Sequence, residues 1–177
     1  MRKLLIMSLL AMVISSPAYA LKLGIGAFGG VNIPIVQEDQ GSGTVFGLKG
    51  KLNLLPGVSL EPNLNFAKFG DATLDFGATR EGSKMTSYGI DAVIGAGMGT
   101  VGFKMYGLLG GGFFNTTRDS DEDATKFGWS TGLGFEIGVS PTLGLDIRGK
   151  LNVINSEGGG TKKSAAVTGG LNYYIGY

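Results

Sequence analysis

Residues 143–154, LGLDIRGKLNVI, alternate between two kinds of side chain along their whole length. One set is apolar or small and comprises Leu143, Leu145, Ile147, Gly149, Leu151 and Val153. The other set is small, polar or charged and comprises Gly144, Asp146, Arg148, Lys150 and Asn152. Because successive side chains of a β-strand point to opposite faces, this period of two predicts a strand with one apolar and one polar face.

The same period recurs after residue 20 and predicts eight strands. They lie near residues 21–34, 44–54, 58–69, 84–97, 101–114, 126–139, 143–154 and 164–177. Three connections are tight and rich in turn-forming residues, at 55–57, 98–100 and 140–142. The other four, near 35–43, 70–83, 115–125 and 155–163, are longer and polar. This layout predicts an all-β fold, an eight-stranded antiparallel up-and-down barrel with both termini on the side of the short turns.

The first 20 residues resemble a cleaved export signal. Met1, Arg2 and Lys3 form a basic start, residues 4–14 are almost wholly apolar, and Ala18-Tyr19-Ala20 has the small-x-small form of a cleavage site. The apolar run is shorter than the roughly 20 residues that a spanning helix needs, which argues against an uncleaved anchor. We therefore expect a signal peptide over residues 1–20 and a barrel domain over residues 21–177.

Composition excludes several classes of function. The chain has no Cys and no His, so it has no disulfide framework and lacks the commonest general base and metal ligand. Its 15 basic and 14 acidic residues show no excess that would indicate a nucleic-acid partner. The 33 glycines and a charged fraction of only 16% are unusual for a soluble core.

Alternation alone leaves open a soluble, lipocalin-like barrel with its apolar side chains inside. Two features favour a transmembrane barrel instead. The polar face is rich in glycine and poor in charge, which suits a crowded lumen, and aromatic residues lie near the predicted strand ends as membrane girdles do. Those at the loop end are Phe46, Phe66, Phe69, Tyr88, Phe113, Phe127 and Trp129, and those at the turn end are Phe103, Tyr173 and Tyr177. Each predicted strand also reaches the 9–11 residues or so that a spanning strand requires.

The export signal, the eight alternating strands and the aromatic last strand together resemble the small OmpA/OmpX/OmpW-like outer-membrane barrel families. The resemblance implies a location in the outer membrane of a Gram-negative envelope. It also implies that Tyr173, Ile175 and Tyr177 form the signal read by the barrel-assembly machinery. Outer-membrane lipid or lipopolysaccharide is the expected surrounding partner.

Strand parity places a set of charged side chains inside the barrel: Lys49, Lys51, Glu61, Asp91, Lys104, Glu136, Asp146, Arg148 and Lys150. Folding about Pro56 sets Lys51 opposite Glu61, and folding about a loop centred near Ser120 sets Lys104 opposite Glu136. The same reasoning places Arg148 diagonal to Glu136 across the Pro141 turn, and Asp91 beside Glu61, where Lys51 and Lys104 would neutralise the two carboxylates. Because eight strands leave an interior just wide enough for side chains, these charges are expected to pair and to brace the lumen.

Two further motifs are weak. Residues 24–29, GIGAFG, match the dinucleotide fingerprint, but Val31 to Pro34 cannot begin the helix that this chemistry needs. The acidic residues 119–123 begin like a calcium loop, but Ala124 and Ser130 replace the Gly and Glu that an EF-hand requires. No cofactor or metal site is predicted.

Pro62 falls inside the third predicted strand and is expected to mark a bulge near the turn side. Overall, the sequence predicts a non-enzymatic outer-membrane barrel with a structural role in envelope integrity and a lumen filled by charged side chains. The alternatives are a narrow pore or small-ligand transporter, and a surface-binding module that acts through loops 71–83 and 115–125.

Overall fold

The computed structural model describes residues 22–35, 41–73, 79–80, 82–97, 101–118, 121–155 and 160–175. Within these ranges the strands are β1 (Lys22–Pro34), β2 (Gly41–Leu55), β3 (Val58–Gly70), β4 (Ala72–Thr73), β5 (Thr79–Arg80), β6 (Lys84–Gly97), β7 (Gly102–Arg118), β8 (Asp121–Gly138), β9 (Leu143–Asn155) and β10 (Thr161–Ile175). No helix in this part of the chain is long and apolar enough to cross a membrane.

Eight of the described strands form one closed barrel in the order β1-β10-β9-β8-β7-β6-β3-β2. Every neighbouring pair is antiparallel, and β1 closes the sheet against β10 with Gly29 opposite Gly169. Closure pairs the backbone of all eight strands and leaves the barrel without an open edge. The predicted all-β, up-and-down architecture is therefore confirmed.

The described turns follow their local chemistry. Between β2 and β3, Gly57 adopts a φ of 82° after Pro56, a conformation that suits a residue without a side chain. Between β8 and β9, the Ser140 hydroxyl accepts hydrogen bonds from the backbone N–H groups of Thr142 (3.3 Å) and Leu143 (3.1 Å). Together with the ends of β1 and β10, these turns define the turn side of the barrel. The opposite end is called the loop side.

The loop side holds more strand than the sequence predicted. Strands β7 and β8 remain paired beyond Asn115 and Thr125 as far as Arg118 and Asp121, across a bulge, so much of the predicted loop 115–125 is a hairpin. Backbone pairing continues there after the apolar alternation has ended, which is why the pattern placed the strand ends too early. In the predicted loop 70–83, β4 and β5 form a separate two-stranded sheet.

The prediction of a bulge at Pro62 is wrong. The β2–β3 register is the same on both sides of it, with Lys49 opposite Asn63 and Leu52 opposite Leu60. Gly50 explains this regularity, because a Cβ built there would lie 3.1 Å from the Pro62 ring. The missing side chain gives the ring space without a shift in pairing.

The outward face is apolar, as a transmembrane barrel requires. Leu133 is 74% exposed, Ile94 68% and Met105 64%, levels that a soluble protein does not maintain over a continuous band. This inside-out distribution excludes the lipocalin-like alternative. Aromatic side chains also meet at both ends of the outer surface, with Phe46 stacked on Phe66 at the loop side and Phe103 against Phe135 at the turn side.

One aromatic residue was assigned to the wrong face. Phe69 is 6% exposed and lies inside the barrel, although it was predicted to belong to the loop-side girdle. Its position one residue before the end of β3 explains the assignment, because nearness to a strand end says nothing about which face a side chain occupies. Strand parity does specify the face, and it places Phe69 with Glu61 on the inner side.

Candidate functional site: the charged lumen

Eight charged side chains lie inside the barrel and contact one another. Glu61 is fully buried, and Asp146 and Lys51 are each 2% exposed. We call this set the ion-pair cluster: Lys49, Lys51, Glu61, Asp91, Glu136, Asp146, Arg148 and Lys150. Its members come from β2, β3, β6, β8 and β9, because the strand period of two brings every second residue of each strand into the lumen.

The ion pairs cross the lumen. Two or three strands of the barrel order lie between the two partners of each crossing pair. The pairs are Lys49 with Asp146 at 2.5 Å, Arg148 with Glu61 at 2.8 Å, Lys150 with Asp91 at 2.8 Å, and Lys51 with Glu136. The cluster therefore joins opposite walls of the barrel.

Asp146 is the most heavily bonded carboxylate of the cluster. It accepts hydrogen bonds from Lys49, from the Arg148 Nε at 3.0 Å and from the Tyr106 hydroxyl. Arg148 in turn reaches Glu61, which lies 3.5 Å from the Lys51 ammonium. Such charge-assisted bonds between desolvated partners are the strong class of protein hydrogen bonds.

Two tyrosines of this site were missed by the sequence analysis. The Tyr106 hydroxyl donates to Asp146, and the Tyr174 hydroxyl donates to Glu136. Both tyrosines occupy inward positions by parity, so the signal was present in the pattern. It went unused because the search for lumen partners considered only charged residues.

The backbone register of the predicted pairs is observed, but their side-chain partners differ. Lys104 lies opposite Glu136 in the β7–β8 ladder, and Glu61 lies opposite Asp91 in the β3–β6 ladder. Among the described residues, however, the ion pair of Glu136 is with Lys51, and no ion pair involves Lys104.

The carboxylates of Glu61 and Asp91 are likewise neutralised from across the lumen, chiefly by Arg148 and Lys150. Arg148 stays diagonal to Glu136, since its neighbour Asp146 lies opposite that residue. Long side chains in a closed barrel reach the far wall as easily as the next strand, which ladder reasoning ignores.

Glycines on the inner face provide the space for this cluster. A Cβ at Gly110 would overlap the Asp91 carboxylate, and one at Gly134 would overlap the Tyr106 hydroxyl. The high glycine content of the polar face thus has a packing reason: each long polar side chain extends over a neighbour that has none.

A second group of interior residues is apolar and occupies the loop side of the lumen. We call it the apolar cluster: Val45, Ala67, Phe69, Met85, Phe114, Ile154 and Ala166. Between it and the ion-pair cluster lies a cavity of about 30 Å³, lined by residues of both clusters and by Asn32, Asn65 and Asn152. A space of this size holds about one or two waters.

The remaining predicted features lie elsewhere. Tyr173 and Ile175 are about half exposed on the outer face of β10, and Tyr177 lies outside the described residues. Residues 24–29 belong to β1, so the helix of a dinucleotide site is not formed there. In the acidic segment, 119–120 fall outside the described residues and 121–123 begin β8. No group of three or more acidic residues among the described ones is arranged to hold a metal ion.

The lumen geometry can be set against known proteins. The family model described as "Outer membrane protein beta-barrel domain" matches residues 5–174. A comparison with curated proteins finds no significant match.

Solved structures that resemble this fold include three small barrels. Neisserial surface protein A (NspA) has 14% identity and a TM-score of 0.69, with 86% of this chain and 97% of that chain covered. OprG from Pseudomonas aeruginosa has 14% identity and a TM-score of 0.63, with 89% and 97% covered. Ail, the attachment invasion locus protein of Yersinia pestis, solved in complex with the heparin analogue sucrose octasulfate, has 13% identity and a TM-score of 0.54, with 88% and 99% covered.

At these identities the structural likeness concerns the fold alone, whereas the family match spans nearly the whole chain. The chain belongs to the outer membrane protein beta-barrel domain family and is an eight-stranded barrel of the outer membrane.

Proposed function

We propose that this protein is a non-enzymatic barrel with a closed lumen, which serves the structural integrity of the outer membrane. The observation that carries the proposal is the set of four ion pairs that cross the lumen. Since they join opposite walls, they occupy the path along which a solute would have to pass.

Energetics favour this closed arrangement. Each charge in the cluster is nearly dry, and a buried charge that loses its partner costs roughly 3–5 kcal/mol. Opening a path through the cluster means breaking several such pairs at once. The apolar cluster adds a second obstacle on the loop side, because an ion entering it finds no polar partner among Val45, Phe69 and Phe114.

The same contacts support the non-enzymatic assignment. The carboxylates and most of the cations of the lumen are engaged with one another, and the chain contains no histidine to serve as a general base. Ser130, the hydroxyl nearest to this chemistry, donates its hydrogen bond to Asp91 at 3.0 Å. It therefore has a structural partner in place of an activating base.

Two measurements test this proposal. Purified protein in planar lipid bilayers should give no steady conductance steps above the baseline of the bare bilayer. Deletion of the gene in the source organism should raise envelope permeability to detergents and hydrophobic dyes, and the wild-type gene should restore the barrier. Steady open-channel steps, or an unchanged envelope in the deletion strain, would contradict the closed, structural role.

Assembly of this barrel is proposed to depend on the outward aromatic positions of the last strand. Tyr173 is 51% exposed and Ile175 52%, so both side chains are available to an assembly partner. Replacing Tyr177 or Tyr173 with Ala should lower the amount of protein in the outer membrane, whereas Tyr174→Ala, on the inner face, should act through stability. The measurement is the ratio of membrane-inserted to periplasmic protein after pulse expression.

A second candidate function, recognition at the cell surface, is favoured by the loop-side extension of β7 and β8. These strands have 17 and 18 residues, more than the other strands of the barrel, and their paired ends extend to Arg118 and Asp121. Replacing residues 117–123 with a two-residue Asn-Gly turn should remove any surface binding while leaving the barrel folded. Cell and glycan binding by the intact and shortened proteins separates this candidate from a purely structural role.

A further inference from the structure

The outer wall of the barrel has a groove in addition to its general apolar band. The groove has a volume of about 640 Å³ and runs over β2, β3, β6, β7 and β8. Gly50 and Gly111 contribute no side chains to its floor, and Leu64, Tyr88, Phe113 and Phe127 form its walls. We call it the outer groove.

A pair of lysines lies on the loop side of the outer groove. Lys68 of β3 and Lys84 of β6 are direct partners in the ladder, and both are exposed on the outer face. Like charges directly opposite each other are destabilising in a sheet, so this arrangement favours an anion between them. Among the described residues no ion pair involves either lysine.

The lysine pair and the groove are aligned along the same two strands. Leu64 and Tyr88 are also ladder partners, four residues toward the turn side from Lys68 and Lys84. At about 3.3 Å per residue, this separation is roughly 13 Å, comparable to the extended length of a lipid acyl chain. The cations therefore lie at the level expected for head groups, and the groove lies at the level expected for acyl chains.

We propose that Lys68, Lys84 and the outer groove form one binding site for an outer-leaflet lipid, with its phosphate held by the two ammonium groups and an acyl chain lying in the groove. The site names a partner for the envelope role proposed above and rests on that role. Binding at this site would anchor the barrel to the lipids whose packing it supports.

The chain supplies matched controls for both halves of the site. Lys163 is exposed at the loop side of β10, opposite the outward residue Val153, and lies on the far side of the barrel from the outer groove. Gly149 faces outward on β9, and a Cβ built there meets no atom within 4 Å. At Gly111 the corresponding Cβ would lie 3.2 Å from the Phe127 ring and would fill the floor of the groove.

Trp129 is a built-in reporter for this site. It is the only tryptophan of the chain, it lies opposite Gly111 in the β7–β8 ladder, and its ring is 5.4 Å from that of Phe127. The protein is reconstituted in phosphatidylcholine vesicles that contain an equal mole fraction of either brominated phosphatidic acid or brominated phosphatidylcholine. Bromine in the acyl chain quenches tryptophan at short range, so the ratio of the two quenching curves gives the preference for the phosphate-bearing lipid.

We expect the brominated phosphatidic acid to bind preferentially, by a factor of about five for each lysine. Lys68→Gln with Lys84→Gln should bring the preference close to one, while Lys163→Gln leaves it unchanged. Gly111→Leu should reduce the preferential quenching, and Gly149→Leu should not. An excess of inorganic phosphate should leave the ratio unchanged, because the acyl chain is part of what is recognised.

Equal quenching by both lipids in the wild-type protein, or an unchanged preference in the double lysine variant, would overturn the site. Loss of the preference in inorganic phosphate would overturn the contribution of the groove. Because both lipids are compared in the same folded barrel, a negative result here would leave the closed-lumen proposal intact, and steady conductance would leave this site intact.

Discussion

Adjacent residues of one strand meet opposite solvents in this protein. Leu145 is 45% exposed toward lipid, and the next residue, Asp146, is 2% exposed inside the lumen. The consequence of a substitution therefore depends on strand parity and on depth along the strand. Hydrophobicity averaged over a stretch of sequence predicts neither.

A first prediction concerns charge on the lipid face. Leu145→Arg should lower the free energy of unfolding by about 2–4 kcal/mol, because the guanidinium would sit near the bilayer midplane. Leu54→Arg is the matched control, since Leu54 is 43% exposed at the turn-side rim, where the cost should be only about 0–1 kcal/mol. Reversible urea unfolding in vesicles measures both. Equal costs at the two sites would mean that their depths in the membrane have been assigned wrongly.

A second prediction separates ladder neighbours from bonded partners. Glu136 lies opposite Lys104 in the ladder but is bonded to Lys51. A double-mutant cycle with Lys51→Met and Glu136→Leu should give a coupling of about 1–3 kcal/mol. The cycle with Lys104→Met and Glu136→Leu should give much less. If the Lys104 cycle showed the larger coupling in the same unfolding assay, the side-chain pairing described for the lumen would be wrong.

Neighbouring strands approach closely where interior glycines leave room for polar groups. Along the β6–β7 ladder, Gly110 lies directly opposite Asp91, and that carboxylate occupies the space that a side chain at Gly110 would need. The Asp91 carboxylate also accepts hydrogen bonds from Lys150 and Ser130. A single glycine on β7 thus allows an ion pair between β6 and β9.

A third prediction follows at this scale. Gly110→Val should displace the Asp91 carboxylate from Lys150 and cost about 1–3 kcal/mol through overpacking. Gly169→Val is the control, because Gly169 faces outward on β10 and has no atom within 4 Å of a built Cβ. The control should be neutral or slightly stabilising, since valine is favoured in strands. Two equal effects in the unfolding assay would mean that glycine serves the strand backbone here and not the packing of the lumen.

The elements themselves could be read from the sequence, because the strand period of two is set by local backbone geometry. That period placed Asp146, Arg148 and Glu61 on the inner face, and turn positions gave the β7–β8 register. The bonding of Lys51 to Glu136 could not be read in this way. It depends on where β2 and β8 come to lie after closure, with three strands between them, and no local signal encodes that distance.

The barrel as a whole places two different obstacles in series along its axis. The ion-pair cluster lies toward the middle and the turn side, the apolar cluster lies at the loop side, and a cavity of about 30 Å³ separates them. The two obstacles oppose transport for different reasons. The first requires paired charges to separate, and the second requires an ion to enter an apolar space without a polar partner.

The series arrangement leads to a prediction about conductance. Phe69→Ala with Phe114→Ala should open the apolar cluster, and Arg148→Ala with Glu61→Ala should remove one crossing ion pair without leaving either charge alone. Each pair of changes by itself should leave the planar-bilayer conductance near that of the wild-type protein, because the other obstacle remains. All four changes together should give steady conductance steps.

Phe46→Ala with Phe113→Ala, on the outer face, is the control for loss of aromatic volume and should not conduct in either background. Because each interior Phe→Ala change can cost about 3–5 kcal/mol, folding of every variant is checked first by heat-modified gel mobility. Steady steps from the Phe69 and Phe114 changes alone would mean that the ion-pair cluster leaves a path for ions and that the apolar cluster is the only barrier. Steps from the Arg148 and Glu61 changes alone would assign the whole barrier to the ion pairs.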